Sequence, residues 1–422
     1  MNDPDHSKPR ARYDVSTADA IDMIVSAARF TGVETVPLSS APGRVLATDL
    51  ASLVDRPGAD DSALDGYACR ATDTLSASPT APVSLDVIGV SHAGSPFDGT
   101  VGARQAVRIA TGAVVPAGAD AVVGVENAVP SAEGERVLLD APASPEAVRR
   151  RARDLATGHT YLTRGRVLDA ATVGLAAAMG HAEVTVARRP RVALLLTGDE
   201  LVAPGADLAR GEVYDANGPA LAALTAASGA ELAAVQHVRD DDGALEAAIE
   251  RLTEPGGIDL VVTSGGVSRG ERDVVRDLMA RRGELTFWRV MVRPGGPTMF
   301  GHVAGVPVLG LPGNPVSSIV TFMLFARAYL DTALGRSAPL PYSDRRPAVA
   351  DGVFVAGAKE MLHRASLVTR GPTLHVAPFD DQSSAVLRSL SESTALVVTP
   401  PHHSYAPGDT VEVIELAPHL RR

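Results

Sequence analysis

Two glycine-rich loops hold the residues best able to do chemistry. In Thr263-Ser264-Gly265-Gly266-Val267-Ser268-Arg269-Gly270 an apolar run ends in glycine just before helical spacing begins near Glu271. Glycines at 265 and 266 let the backbone approach an anion, and amides at a helix start point their positive ends at it. Ser264 and Ser268 add hydroxyls. The spacing fits neither a Walker A loop nor a dinucleotide fingerprint, so the segment reads either as an anion cradle or as a tight strand-to-helix turn. The second loop, Leu311-Pro312-Gly313-Asn314-Pro315-Val-Ser-Ser, ends a strand in a glycine turn. Asn314 suits a helix cap and Pro315 the first helical position, a structural account complete without a ligand. Both loops nevertheless follow strands of one predicted sheet, and two anion-ready loops on one edge fit one ligand.

Charged residues flank these loops. Arg289 and the segment Arg293-Pro-Gly-Gly-Pro offer forked donors suited to phosphate, although either arginine alone also reads as an ordinary surface residue. Carboxylates gather at Asp199, Glu200, Asp215, Asp240 to Asp242, Glu271 and Asp273. Hard oxygens beside a phosphate site are what Mg²⁺ takes up. Helix capping accounts equally well for Asp215, Asp241 and Asp242, which leaves Glu200, Asp240 and Asp273 as candidates. Asp65, in Ser62-Ala-Leu-Asp-Gly-Tyr-Ala, and Thr111, in Thr111-Gly-Ala-Val-Val-Pro-Ala-Gly-Ala-Asp, fall on turn-rich loops. The histidines show no metal-ligand spacing, and no Ser-His-Asp or Cys-His arrangement is apparent.

The elements that must hold these loops run from about 188 to 335. Apolar strands at 191–196, 232–238 and 259–264 alternate with helical patterns at 217–228, 242–253, 271–282 and 315–331, with extended pieces near 286–292 and 306–311. This alternation predicts an α/β domain with a largely parallel sheet covered on both faces. Residues 16 to 30 predict an amphipathic helix closed near Gly32, and 33 to 55 an elongated linker region. Short β-branched runs between 57 and 148 predict a small inserted β domain, 149 to 187 a return to the linker with a helix at 170–179, and 336 to 422 a terminal all-β domain.

Composition bounds the partners. A chain of 422 residues exceeds one core, and its formal charge of -11 argues against a nucleic-acid surface. One cysteine, Cys69, forms no internal disulfide; the first residues carry no secretory h-region, and no run is apolar enough to span a bilayer. The expectation is a cytoplasmic enzyme without membrane contact.

Taken in order, Ser62-Ala-Leu-Asp-Gly-Tyr-Ala, the segment from Thr111, Thr197-Gly-Asp-Glu-Leu, Thr263-Ser-Gly-Gly-Val-Ser, Arg293-Pro-Gly-Gly-Pro and Leu311-Pro-Gly-Asn-Pro-Val-Ser resemble the MoeA family, molybdopterin molybdenumtransferases that include the gephyrin E domain. The resemblance implies a linker domain of two segments (10–56 and 149–187), an inserted β domain (57–148), a molybdopterin-binding α/β domain (188–335) and a C-terminal β barrel (336–422). It implies a homodimer whose site joins the α/β domain of one subunit to the β domain of the other. The implied reaction inserts molybdate into adenylylated molybdopterin, with Mg²⁺ required and AMP released; transient contacts with a molybdopterin adenylyltransferase and with recipient molybdoenzymes follow from it. Carried over by position, Asp65, Thr111, Asp154 and Glu200 take catalytic or positioning roles, Asp240 and Asp273 hold Mg²⁺, and Arg289, Arg293, Pro312, Pro315 and Ser384 line the substrate. Three departures stand out. The family's Lys-Pro-Gly-Lys-Pro has Gly296 in place of its second lysine, its Gly-Glu-Asp is Ala152-Arg153-Asp154, and its C-terminal Ala-Asn pair is replaced within Ser391-Glu392-Ser393-Thr394. A pterin-binding paralogue without turnover, or a molybdopterin adenylyltransferase, are the competing expectations.

Overall fold

The computed structural model describes residues 11–239, 241–254, 257–267 and 274–417. The predicted Ser268, Asp240 and Asp273 lie outside them.

At its centre is a seven-stranded sheet in the order Arg12–Val15, Gly283–Val290, Met299–Val303, Val306–Leu311, Leu260–Ser264, Arg191–Thr197, Glu231–Val238. Only Met299–Val303 runs against the rest. Side-chain alternation along Arg191–Thr197 explains the three layers. Val192, Leu194 and Leu196 enter one core with helices Thr17–Ala27, Asn217–Ala227 and the continuous helical run from Pro315 to Ala333. Ala193 and Leu195 enter another under Asp242–Leu252 and Val274–Arg282. Each fully buried aliphatic side chain contributes about 1.5–3 kcal/mol, so a strand apolar on both faces has its place only at the centre of such a sandwich. The mostly parallel α/β expectation is met.

Two features of the sheet escaped the periodicity. The short hairpin partner Met299–Val303 follows Pro-Gly-Gly-Pro and interrupts its apolar run with Gly301. The segment from Arg12, expected in the linker, supplies an edge strand, and its helix, capped by Ser16, packs on the sandwich core through Ala20, Ile21 and Ile24.

The linker is built from two chain segments that pair: Val33–Pro37 with Glu183–Ala187, and Leu50–Ala51 with Thr160–Leu162. Helix Ala170–Ala178, with an Asp169–Thr172 capping box, closes its core. Between these segments lies a six-stranded sheet with strands from Gly66–Cys69 to Arg136–Leu139. The C-terminal region is a closed five-stranded barrel: Glu360–Arg370 pairs with Thr373–Pro378 on one side and Ala395–Thr399 on the other, and Arg346–Ala350 and Thr410–Glu415 complete the circle. Strand Val292–Arg293, leaving the α/β domain, adds in parallel to the start of Glu360–Arg370.

Candidate active site

The carboxyl ends of Arg191–Thr197, Leu260–Ser264 and Val306–Leu311 open into a cleft of about 550 Å³. Glu200, Ser264, Gly265, Gly266, Pro312, Gly313, Asn314 and Pro315 line it, so eight of the expected site residues meet here. Gly265 and Gly266 have φ of 98° and 67°. A Cβ on Gly265 would stand 2.6 Å from Thr197 Oγ1 and 2.7 Å from Thr197 O, so only glycine allows this strand end to turn. The Gly265 amide donates to Leu311 O at 3.1 Å, tying the two loops together.

Asn217, at the start of its helix, donates from Nδ2 to Ser264 Oγ (2.9 Å) and Gly313 O (2.7 Å). Its Oδ1, and Thr197 Oγ1 beside it, are buried without a hydrogen-bond partner. Buried polar atoms cost free energy unless paired, so two orphans lining one cleft favour a ligand that supplies donors. Sequence reasoning missed Asn217: its signal was the strand-to-helix position after Tyr214-Asp215, read only as a cap. Asp215 does cap, accepting from the Gly218 amide (2.9 Å) and meeting His237 Nε2 (3.0 Å). Asp241 likewise accepts from the Ala244 amide. Glu200 is exposed in the cleft, and its carboxylate has no hydrogen-bond partner among the described residues.

Asn314 occupies its N-cap position without capping through its side chain, and Pro315 takes the first helical position as expected. The Asn314 amide instead donates to Ser384 Oγ at 3.0 Å, which brings Ser384 of the barrel to the cleft rim. Behind Ser384 stands Arg364, fully buried, a second residue missed from sequence. Its Nη2 donates to Ser383 O and its Nε to Ser389 Oγ, while Nη1 has no partner. Burial pushes this guanidinium down to about 10, offset only by the charge of Asp381. Composition and spacing cannot show that an arginine is buried beside a loop; the register of the barrel strand does.

Arg289 and Arg293 do not line the cleft. Arg289 forms a forked ion pair with Asp14, which raises the guanidinium and lowers the carboxyl. Arg293 is exposed beside Lys359 on the strand that joins the barrel. The 293–297 turn still abuts the site, since Pro297 lines the cleft and Gly295 packs against Thr321 of the helix that Asn314 begins.

Asp65 and Thr111 are brought together in the inserted domain: Asp65 Oδ1 accepts from the Thr111 amide (2.7 Å) and hydroxyl (3.0 Å), which holds the Asp65 carboxyl below its usual range. Neither is among the described residues lining the cleft of its own chain. Asp154 lies elsewhere, 3.6 Å from Arg56 across an exposed ion pair. Ala152, two residues before it, has φ of 61°, a conformation that suits the glycine of the resembling motif.

A three-layer α/β domain with a ligand cleft at its strand ends, joined to a two-segment linker with a β insert and to a terminal barrel, defines a multidomain α/β and β protein with a small-ligand site at its sheet edge. Family profiles agree with this division: the MoeA N-terminal region (domain I and II) matches residues 15–180, a probable molybdopterin binding domain residues 193–332, and the MoeA C-terminal region (domain IV) residues 348–416. Molybdopterin molybdenumtransferase 2 of Mycobacterium tuberculosis is 39% identical over 87% of this chain and 90% of its own length. The molybdopterin molybdenumtransferase of Staphylococcus aureus is 30% identical over 96% of each. Two crystal structures of the molybdopterin biosynthesis MoeA protein from Pyrococcus horikoshii superpose with a TM-score of 0.80, at 32% and 25% identity, over 95% of this chain and 99% of theirs. The chain belongs to the MoeA family of molybdopterin molybdenumtransferases.

Proposed function

We propose that the chain inserts molybdate into adenylylated molybdopterin, with release of AMP. The observation that carries this reading is the convergence of two glycine loops, the orphaned Thr197 Oγ1 and Asn217 Oδ1, and the unpartnered Glu200 carboxylate on one cleft. The Gly266 amide and the start of the Pro315 helix bind the phosphate end, because helix N-termini attract anions. Asn217 Oδ1 accepts a ligand N–H and orients the pterin. Glu200, exposed and unpaired, holds or moves a proton at the attacking oxygen.

Asp240 and Asp273, outside the described residues, would hold Mg²⁺ beside the phosphate end, since carboxylate and phosphate oxygens are the ligands it takes up. When bound, it neutralises charge that develops on the phosphate. The chain acts as a homodimer in the cytoplasm, the Asp65–Thr111 pair of one subunit completing the cleft of the other; their mutual hydrogen bonds fix Asp65 as an anion ready to position substrate. The cofactor passes between a molybdopterin adenylyltransferase and molybdoenzymes by transient contacts. No helix among the described residues is long and apolar enough to cross a membrane.

The test supplies purified protein with adenylylated molybdopterin, molybdate and Mg²⁺. AMP release together with reconstitution of an apo-molybdoenzyme is expected; binding of the pterin without AMP release would establish a carrier instead.

A further inference from the structure

We infer that Trp288 is a positioning residue for the glycine loop: its indole N–H clamps the Val267 carbonyl and so holds the direction in which the loop presents its amides. The inference rests on the reading that this loop binds the phosphate end of adenylylated molybdopterin, and it names a residue that acts on the substrate through the loop. Gly265 and Gly266, with φ of 98° and 67°, have wide conformational freedom, so a loop built on them keeps one shape only where its peptides are held from outside. Three anchors do this, each from a different element. The Gly265 amide donates to Leu311 O at 3.1 Å. The Gly266 carbonyl accepts at 3.4 Å from the Arg276 amide, in the first turn of Val274–Arg282, where an amide has no intrahelical partner. The Val267 carbonyl accepts from Trp288 Nε1 at 3.1 Å. Gly266, whose amide is assigned to phosphate, lies between the first anchor and the other two. A peptide is planar and trans, so the held Gly266 carbonyl also sets the amide of Val267, which lines the cleft as well. Of the three anchors only the indole is a side chain, and it is therefore the one that substitution can remove.

The indole is itself held from several sides. It rises from strand Gly283–Val290 and packs, half-buried, against the core under Asp242–Leu252 and Val274–Arg282, the core that also takes the Val267 side chain. The guanidinium carbons of Arg276 and Arg289 stand 5.2 and 5.6 Å from its ring centroid, and Tyr13 meets it edge-on with centroids 6.0 Å apart. Trp offers the strongest aromatic face for a cation, so these contacts fix the ring's orientation and with it the aim of its N–H. Arg276 contributes twice: its amide anchors Gly266 and its side chain lies over Trp288, so the second and third anchors brace each other. Arg289 gains a use away from the cleft. Its fork with Asp14 and its backbone, strained at φ of 70°, place its guanidinium over the ring, and such strain persists where the surroundings enforce it.

The chain has one tryptophan, so a change to its indole is a change at position 288 alone. The test compares full-length wild type with Trp288→Phe, with a protein carrying 3-benzothienylalanine at 288, which keeps the bicyclic shape but has sulfur in place of the N–H, and with a protein carrying 5-fluorotryptophan, which keeps the N–H. Equilibrium binding of adenylylated molybdopterin and the thermal unfolding midpoint are measured on each. Both proteins without the N–H should bind the pterin about fivefold more weakly, the scale of one neutral hydrogen bond, and the fluorinated protein should stay within about twofold of wild type. Pterin affinity unchanged on loss of the N–H, whether or not the unfolding midpoint falls, is the result of a merely structural indole and overturns the proposal. Equal weakening in the 5-fluorotryptophan protein overturns it too, because the N–H would then not be the group that matters. A wild type that fails to bind adenylylated molybdopterin overturns it together with the proposed function. A wild type that binds the pterin through the Trp288 N–H yet releases no AMP would leave the positioning role standing and refute molybdate insertion.

Discussion

His363 and Arg364 sit side by side on one barrel strand, and burial moves both titrations downward. His363 packs edge-on to Phe354, with Nε2 buried and unpartnered, and its pKa falls from 6.5 to about 4 because burial, and then Arg364, penalise the imidazolium. The sign follows directly. Between these values the unfolded chain binds the proton and the folded chain does not, so the stability is fully present above pH 6.5 and is lost as pH falls toward 4. The expected loss from this one residue is on the order of 2–3 kcal/mol, and denaturation at stepped pH should show His363→Asn flattening that slope. A slope unchanged in the variant would assign the acid sensitivity to other groups. At this scale the sequence made visible what depends on residue type: glycines where the backbone must turn tightly, Asp215 and Asp241 as caps, Asp65 and Thr111 on loops. It hid what depends on burial. Arg364 and Trp288 each follow an unremarkable neighbour, His363 and Phe287, and nothing in their spacing says that one is enclosed or that the other reaches the Val267 carbonyl.

Among the elements, the loop from Thr263 is the one whose shape the ligand needs. Its strand, buried along its length, delivers Gly265 against Thr197, and the Leu311 carbonyl receives the Gly265 amide. Gly265→Ala should therefore cost more than backbone strain alone, which is about 1–3 kcal/mol for a residue forced into such a conformation. Gly32, with φ of 92° and nothing within 4 Å of its Cβ, isolates the strain. We expect Gly265→Ala to lower unfolding free energy beyond Gly32→Ala and to weaken pterin binding at least tenfold, with Gly32→Ala binding normally. Equal effects of the two on binding would show that the loop does not need its tight contact with Thr197. The helices were legible at this scale because their amphipathic spacing and caps are local, down to Ser16 before Thr17–Ala27 and Pro315 at a first turn. Two strands were not. Arg12–Val15 is four residues long, mostly exposed, and becomes a strand only by pairing with Gly283–Val290; Met299–Val303 is fixed by hairpin register with its neighbours. Arg12–Val15 owes its conformation to a partner far along the chain, Met299–Val303 to the strands that flank it in sequence.

For the whole molecule, the residues expected to act together fall into two groups that one chain does not unite. Glu200, Ser264, Gly265 and Gly266 line the α/β cleft, while Asp65 and Thr111 bond to each other in the inserted domain. The two-segment linker explains how a fold can separate them: it pairs strands from either side of the insert and so carries the β domain outward as a unit with its own core. If a second subunit supplies the missing half, complementation follows from symmetry. Asp65→Asn and Glu200→Gln chains, each inactive as a homodimer, would on mixing form heterodimers in which one of two sites contains both native residues. Random reassociation makes about half the dimers mixed, so AMP release should recover to about a quarter of wild type, with subunit exchange followed by light scattering of tagged chains. Recovery near zero despite proven exchange would mean that Asp65 and Glu200 serve the same chain, or that they never act at one site, and the shared-site dimer would then fall.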